Sequence, residues 1–115
     1  MESAEKKVIV VTGGSGLVGR AIREVVEELG GKQEGEEWIF LASKDADLTN
    51  LKETEEKVFK HYQPTHIIHL AAMVGGLFKN MRLKVEFFRQ NCLMNDTILS
   101  LSHKYNVSQE VSLKY

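Results

Sequence analysis

Thr12-Gly13-Gly14-Ser15-Gly16-Leu17-Val18-Gly19 follows directly on the apolar run Val8-Ile9-Val10-Val11. A β-branched run of that length reads as a buried strand at the centre of a parallel sheet. The glycines then turn the chain sharply into a helix, whose first N–H groups have no partner within the helix. Those donors and the positive end of the helix dipole make a site for a pyrophosphate. Glycine is needed because a Cβ would block either a φ > 0 turn or the close approach of phosphate to backbone. Two registers fit: Gly14, Gly16 and Gly19 spell G-x-G-x-x-G, while Gly13, Gly16 and Gly19 spell G-x-x-G-x-x-G with a threonine just before. The first is a weak signal by itself; the second, between a strand and an amphipathic helix, is stronger. The competing reading is a purely structural glycine turn.

Working outward, the spacing predicts a helix over Leu17 to Leu29, with Val18, Ile22, Val25 and Leu29 on one face and Gly30-Gly31 at its end. Lys32 to Glu37 reads as a solvated loop and Trp38-Ile39-Phe40-Leu41 as the second strand. An NAD site places an acid near the end of this strand, roughly 20 residues past the glycines, to hold the adenosine ribose. Here the chain reads Ala42-Ser43-Lys44, and a hydroxyl with an ammonium suits a 2′-phosphate, which points to NADP. Asp45 follows directly and could serve a ribose instead, and Lys44 could be an ordinary exposed lysine.

Asn50 is placed to cap the next helix, with Glu53 reaching back as in a capping box. Leu51, Val58, Phe59 and Tyr62 form its apolar face, and Pro64 lies just past its end. Thr65 to Leu70 is a further strand, running into Ala71-Ala72-Met73-Val74-Gly75-Gly76. Small residues at the carboxyl end of a strand let a cofactor pass close to the backbone. His66 and His69 fall on opposite or staggered sides of that strand, with no third ligand nearby, so they read as sheet residues near the core and no metal site is expected. A last helix spans Leu83 to Tyr105, with a stripe of Phe87, Met94, Ile98, Leu101 and Tyr105 that Phe88, Cys92 and Leu99 widen. Cys92 reads as a small buried hydrophobe. The right-handed crossover rule puts the first strand in the middle of the sheet, with the next two stepping outward on one side and helices on both faces.

Composition narrows the class. The chain has 115 residues, 43% of them hydrophobic, and a net charge of −1, so it makes at most one globular domain. Its basic residues are dispersed among acids, against nucleic-acid binding. One cysteine allows no internal disulfide and points to a reducing compartment. Met1 to Lys7 is charged and lacks an apolar core, unlike a signal peptide, and no apolar run is long enough to cross a bilayer. A cytoplasmic protein is expected.

Thr12 with Gly13, Gly16 and Gly19 resembles the cofactor loop of the extended short-chain dehydrogenase/reductase family, and His69-Leu70-Ala71-Ala72 is similar to that family's strand-four motif. The likeness runs from about Val8 to Val107. Ser43 to Thr49, and Pro64-Thr65-His66 through Val74-Gly75-Gly76-Leu77-Phe78, are similar to the branch that acts on a GDP-bound keto-deoxymannose. The resemblance implies an α/β fold, the N-terminal part of a Rossmann-type parallel sheet. It places the pyrophosphate on Gly13, Gly14, Ser15, Gly16, Leu17, Val18 and Gly19, and the adenosine toward Ser43, Lys44, Asp47 and Leu48. Asp47 would accept from the adenine amino group and the Leu48 N–H would donate to a ring nitrogen. Leu70, Ala71, Ala72 and Asn91 would lie along the rest of the cofactor. The helix from Leu83 to Tyr105 would pack on a partner subunit, giving a homodimer.

The family's catalytic serine, its Tyr-x-x-x-Lys pair and its epimerising cysteine and histidine come later than Val107, and none is matched here; Tyr115 is the last residue. No catalytic residue is therefore assigned. The expected organisation is residues 1–107 as a partial NAD(P)-binding domain, 108–115 as a divergent short tail and no GDP-sugar-binding domain, truncated before the catalytic strand. Such a chain is expected to bind NADP and to be inert alone. The alternatives are a free-standing NADP-binding or regulatory module, and a non-functional product whose small sheet leaves an edge unpaired.

Overall fold

In the computed structural model, which describes residues 6–29, 34–71 and 81–112, Val10 and Val11 have no exposed surface. That is what a strand covered on both faces requires. β1 (Lys7–Thr12), β2 (Glu36–Leu41), β3 (His66–His69) and β4 (Gln109–Ser112) form one parallel sheet in the order β2-β1-β3-β4. β1 pairs on one side with β2, Val10 opposite Ile39, and on the other with β3, Val10 opposite Ile67. The β1 strand is thus central, but the next two strands do not step outward on one side: they flank it.

Residues 42–50 fold into turns held by their own side chains, and the next strand, His66–His69, pairs with the open side of β1 and not with β2. The Asp45 carboxylate accepts from the Ala42 N–H at 2.7 Å, and the Asp47 carboxylate accepts from the Thr49 N–H at 3.0 Å. The chain then crosses back over β1. Right-handed connections running in opposite directions put α1 (Leu17–Glu28) on one face, and α2 (Leu51–Thr54) with α3 (Met81–Lys104) on the other.

The main core lies on the α2/α3 face. Val8, Val10, Leu41 and Ile67 from the sheet meet Val58 and Phe59, and Met94, Ile98 and Leu101 of α3. Burying a side chain such as Phe59, 1% exposed, stabilises by about 2–3 kcal/mol. Asn50 caps α2 as expected, its Oδ1 accepting from the Glu53 N–H at 2.9 Å. Glu53 reaches further back than a capping box would, to the Asp47 N–H. After α2 the helix widens into a π-helical turn, Glu55–Lys60, and ends at Gln63 with φ 52°. Leu51 is exposed and the buried residue of α2 is Thr54, whose hydroxyl donates to the Asn50 carbonyl at 2.8 Å. Glu55 joins the turn to the end of α3, accepting from Lys104 Nζ at 2.6 Å and the Tyr105 hydroxyl at 2.7 Å.

Two apolar faces differ from the sequence reading. On α1 the residues turned inward are Gly19, Ile22 and Val26, while Val18, Val25 and Leu29 are exposed. Gly19 sets this rotation: a Cβ there would lie 2.5 Å from the Gly13 carbonyl oxygen, so this position is pressed onto the loop and Ile22 and Val26 follow at helical spacing. On α3 the stripe of Met94, Ile98 and Leu101 is buried, but Phe88, Leu99 and Cys92 are exposed. Cys92 is therefore a surface thiol and not a core residue, because it lies on the side of α3 turned away from the sheet. Gly30-Gly31 lies outside the described residues. Among the described residues no helix is long and apolar enough to cross a membrane.

Candidate functional site

A cavity of about 890 Å³ opens across the carboxyl ends of β1, β2 and β3. Open α/β sheets place ligands there, where connections leave to opposite faces. Its floor is Thr12, Gly13, Leu70 and Ala71. One side is the loop and first turn of α1, from Ser15 to Gly19, and another is formed by Leu41 to Ser43 and Ala46 to Thr49. α3 closes the far end with Glu86, Phe87, Gln90 and Met94.

The glycines have separable tasks. Gly13 has φ 70°, and a Cβ would meet the Ala71 nitrogen and the Leu70 carbonyl carbon, both at 2.8 Å. Gly14 rests on Phe40 and is not on the cavity wall. Among the described residues, a Cβ at Gly16 would meet only the Gly13 carbonyl oxygen, at 3.3 Å, a contact relieved by a few tenths of an ångström. Packing within the protein thus demands glycine at 13, 14 and 19 and hardly at 16, which lines the cavity. The first α1 hydrogen bond runs from the Arg20 N–H to the Gly16 carbonyl at 2.9 Å. No side chain caps this turn and it carries no acid, so its dipole and N–H groups face the cavity uncompensated.

At the β2 end, Ser43 is on the wall and Lys44 is exposed beside it in the same turn. Asp45 is turned back onto the Ala42 N–H and is absent from the wall. Asp47 and Leu48 line the cavity. Hydrogen bonds from the Thr49 hydroxyl and then the Thr49 N–H hold the Asp47 carboxyl below its usual range.

Beneath the floor runs a hydrogen-bonded chain. Thr12 Oγ1 lies 2.6 Å from His69 Nδ1 and accepts from the N–H groups of Leu70 and Ala71, each at 3.1 Å. His69 Nε2 lies 2.9 Å from Asn95 Oδ1 on α3. His69 is 2% exposed, and burial pushes its imidazole below the ordinary value despite the Asn95 hydrogen bond.

Gly13, Ser15, Gly16, Leu17, Val18, Gly19, Ser43, Asp47, Leu48, Leu70 and Ala71 are therefore gathered around one cavity. Gly14 and Lys44 lie behind or beside it, and Asn91 is half-buried on α3 away from the wall. Ala72 and the Val74-Gly75-Gly76 segment lie outside the described residues. Sequence reasoning missed Glu86 and Gln90. Their spacing, i and i+4, puts them on one helix face, and Gln90 Nε2 donates to Glu86 Oε1 at 2.7 Å.

A parallel sheet, a glycine turn opening a helix, and a cavity across the strand ends define a dinucleotide-binding α/β domain. The chain belongs to the NAD dependent epimerase/dehydratase family, whose family model matches residues 9–113. It is 50% identical over 106 residues to a probable GDP-L-fucose synthase of Drosophila melanogaster, covering 92% of this chain and 32% of that protein. It is 46% identical over 111 residues to a GDP-L-fucose synthase of Dictyostelium discoideum, covering 96% of this chain and 34% of the relative. It also superimposes on a crystal structure of a GDP-L-fucose synthetase from Naegleria fowleri bound to NADP, with a TM-score of 0.82 and 42% identity. That match covers 97% of this chain and 32% of the other. The chain thus spans about a third of the length of the relatives it matches.

Proposed function

We propose that this chain is the NADP-binding portion of a GDP-L-fucose synthase. The whole protein would epimerise GDP-4-keto-6-deoxymannose and reduce it with NADPH to GDP-L-fucose. The observation that carries the cofactor choice is the turn after β2. Its carboxylate, Asp45, is consumed by the Ala42 N–H, while Ser43 and Lys44 remain at the cavity edge for a 2′-phosphate. The pyrophosphate lies on Gly13 to Val18 and the adenine against Asp47 and Leu48, with Leu70 and Ala71 toward the nicotinamide. The residues present fit the dinucleotide: what the cofactor supplies when bound is a hydride, and what these residues supply is its binding and orientation.

Reversing the charge in Lys44→Asp is expected to weaken NADP by about tenfold or more through phosphate repulsion and to leave NAD nearly unchanged. Titration calorimetry with both cofactors checks this, and equal weakening of the two removes Lys44 from the 2′-phosphate site.

The exposed Phe88, Cys92 and Leu99 share one side of α3 and make an apolar face suited to a second copy of the chain. Sedimentation velocity should show a dimer that Phe88→Glu dissociates; a monomer at every concentration would end this reading. A single cysteine supports a cytoplasmic location.

A further inference from the structure

The Thr12 hydroxyl has one hydrogen to donate and two lone pairs to accept with. Both lone pairs are taken, by the N–H groups of Leu70 and Ala71 at 3.1 Å. The Leu70 N–H is shared with the Thr12 carbonyl, 3.2 Å away. The 2.6 Å contact to His69 Nδ1 must then be the hydroxyl donating to the ring. That fixes the imidazole as the neutral form protonated at Nε2, which donates to Asn95 Oδ1.

A proton added at Nδ1 would aim a third donor at a hydroxyl that accepts two, and would leave the hydroxyl hydrogen without an acceptor. The bonds then at risk are those that hold Leu70 and Ala71 against the end of β1. These are the same peptide atoms on which Gly13 rests, at 2.8 Å for a virtual Cβ, so any movement there reaches the glycine loop directly.

Resting on the reading of this cavity as a dinucleotide site, we propose that His69 is a positioning residue for it: its neutral Nδ1 orients Thr12, which locks the Leu70–Ala71 peptide under the glycine loop, and protonation of the ring loosens the cofactor. Thr12 from β1 and Asn95 from α3 are neutral, and the charged group bearing on the ring is Glu110 of β4. Cofactor affinity therefore holds above the ordinary imidazole range and falls as pH drops through the titration of His69, which burial sets lower.

The test uses the 115-residue chain and NADP. NMR of the imidazole nitrogens should show the Nε2–H form at neutral pH, and added NADP should move the His69 titration to lower pH. An anion merely lying nearby would move it upward by charge alone. Calorimetric affinities followed downward from pH 8 through the ring's own titration should fall in acid by up to about tenfold per pH unit below it. His69→Asn keeps an acceptor near the Nδ1 position and cannot titrate, so its profile should lack this fall and give the cofactor's own titration for subtraction. His69→Gln keeps the Asn95 partner but loses the acceptor for Thr12, and should bind about tenfold more weakly at pH 8. The Nδ1–H form, an upward or absent shift with NADP, or coincident profiles for the parent and His69→Asn would overturn the proposal while leaving the cofactor reading intact. No binding at any pH would overturn both.

Discussion

Gly16→Val is expected to abolish NADP binding and to leave the fold standing. The Gly16 backbone begins α1 in an extended conformation, φ −78° and ψ 179°, which any residue can adopt. Among the described residues the nearest atom to a Cβ there is the Gly13 carbonyl oxygen at 3.3 Å, so the cost in stability is about 1 kcal/mol, that of a poor N-cap residue. The branched side chain would stand where phosphate oxygens must approach the first N–H groups of α1, and an occupied volume cannot be relieved by a small shift. A loss of affinity of about a hundredfold or more is expected, because charge-assisted bonds to several backbone donors go together. Calorimetry with NADP, beside thermal melts of parent and variant, checks both halves. Retained binding would move the pyrophosphate off this loop.

The 115-residue chain alone is expected to be catalytically silent with NADPH and freshly made GDP-4-keto-6-deoxymannose. Ketone reduction needs a positioned acid for the developing alkoxide, in addition to hydride. The sequence contains no Tyr-x-x-x-Lys, since Tyr62 and Tyr105 are followed four positions on by His66 and Gln109. Among the described residues the ionisable side chains on the cavity wall are Asp47 and Glu86. Asp47 is held ionised by Thr49 and stands at the end assigned to the adenosine, so it is no proton donor to a ketone. Loss of NADPH absorbance should equal that of the Gly16→Val protein. Turnover above that control would place the chemistry on residues that this reading leaves out.

What could be read in advance followed from strong local signals. The β-branched run, the glycine turn and the Asn50 cap each determine their own conformation, and the structure has all three. Glu36 and Glu37 gave no strand signal; they join β2 through register with Lys7 and Val8, and Glu37 is paired with Lys6 at 3.0 Å. The rotation of α1 hung on one contact, Gly19 against Gly13, which outweighs the spacing of four apolar residues. Strand order rested on a pairing between distant segments, Val10 with Ile67 on the side of β1 away from β2, which no local pattern marks. At the site, the glycine loop and the end of β2 were legible because their chemistry is local. Glu86 and Gln90 were hidden in a long helix with apolar residues on every side, and the partners of His69 come from two distant elements.

The approach of Gly13 to the Leu70–Ala71 peptide has a consequence for how the sequence can drift. The atoms that crowd Gly13 are main chain, common to every amino acid. No exchange at 70 or 71 can therefore make room for a side chain at 13, and the usual route by which touching positions change together over generations is closed. Position 13 is fixed for folding, while its neighbours answer only to the cavity they line. Two of the most tightly coupled places in the molecule would for this reason leave no trace of correlated change, and a search for contacts through paired substitutions would pass over them.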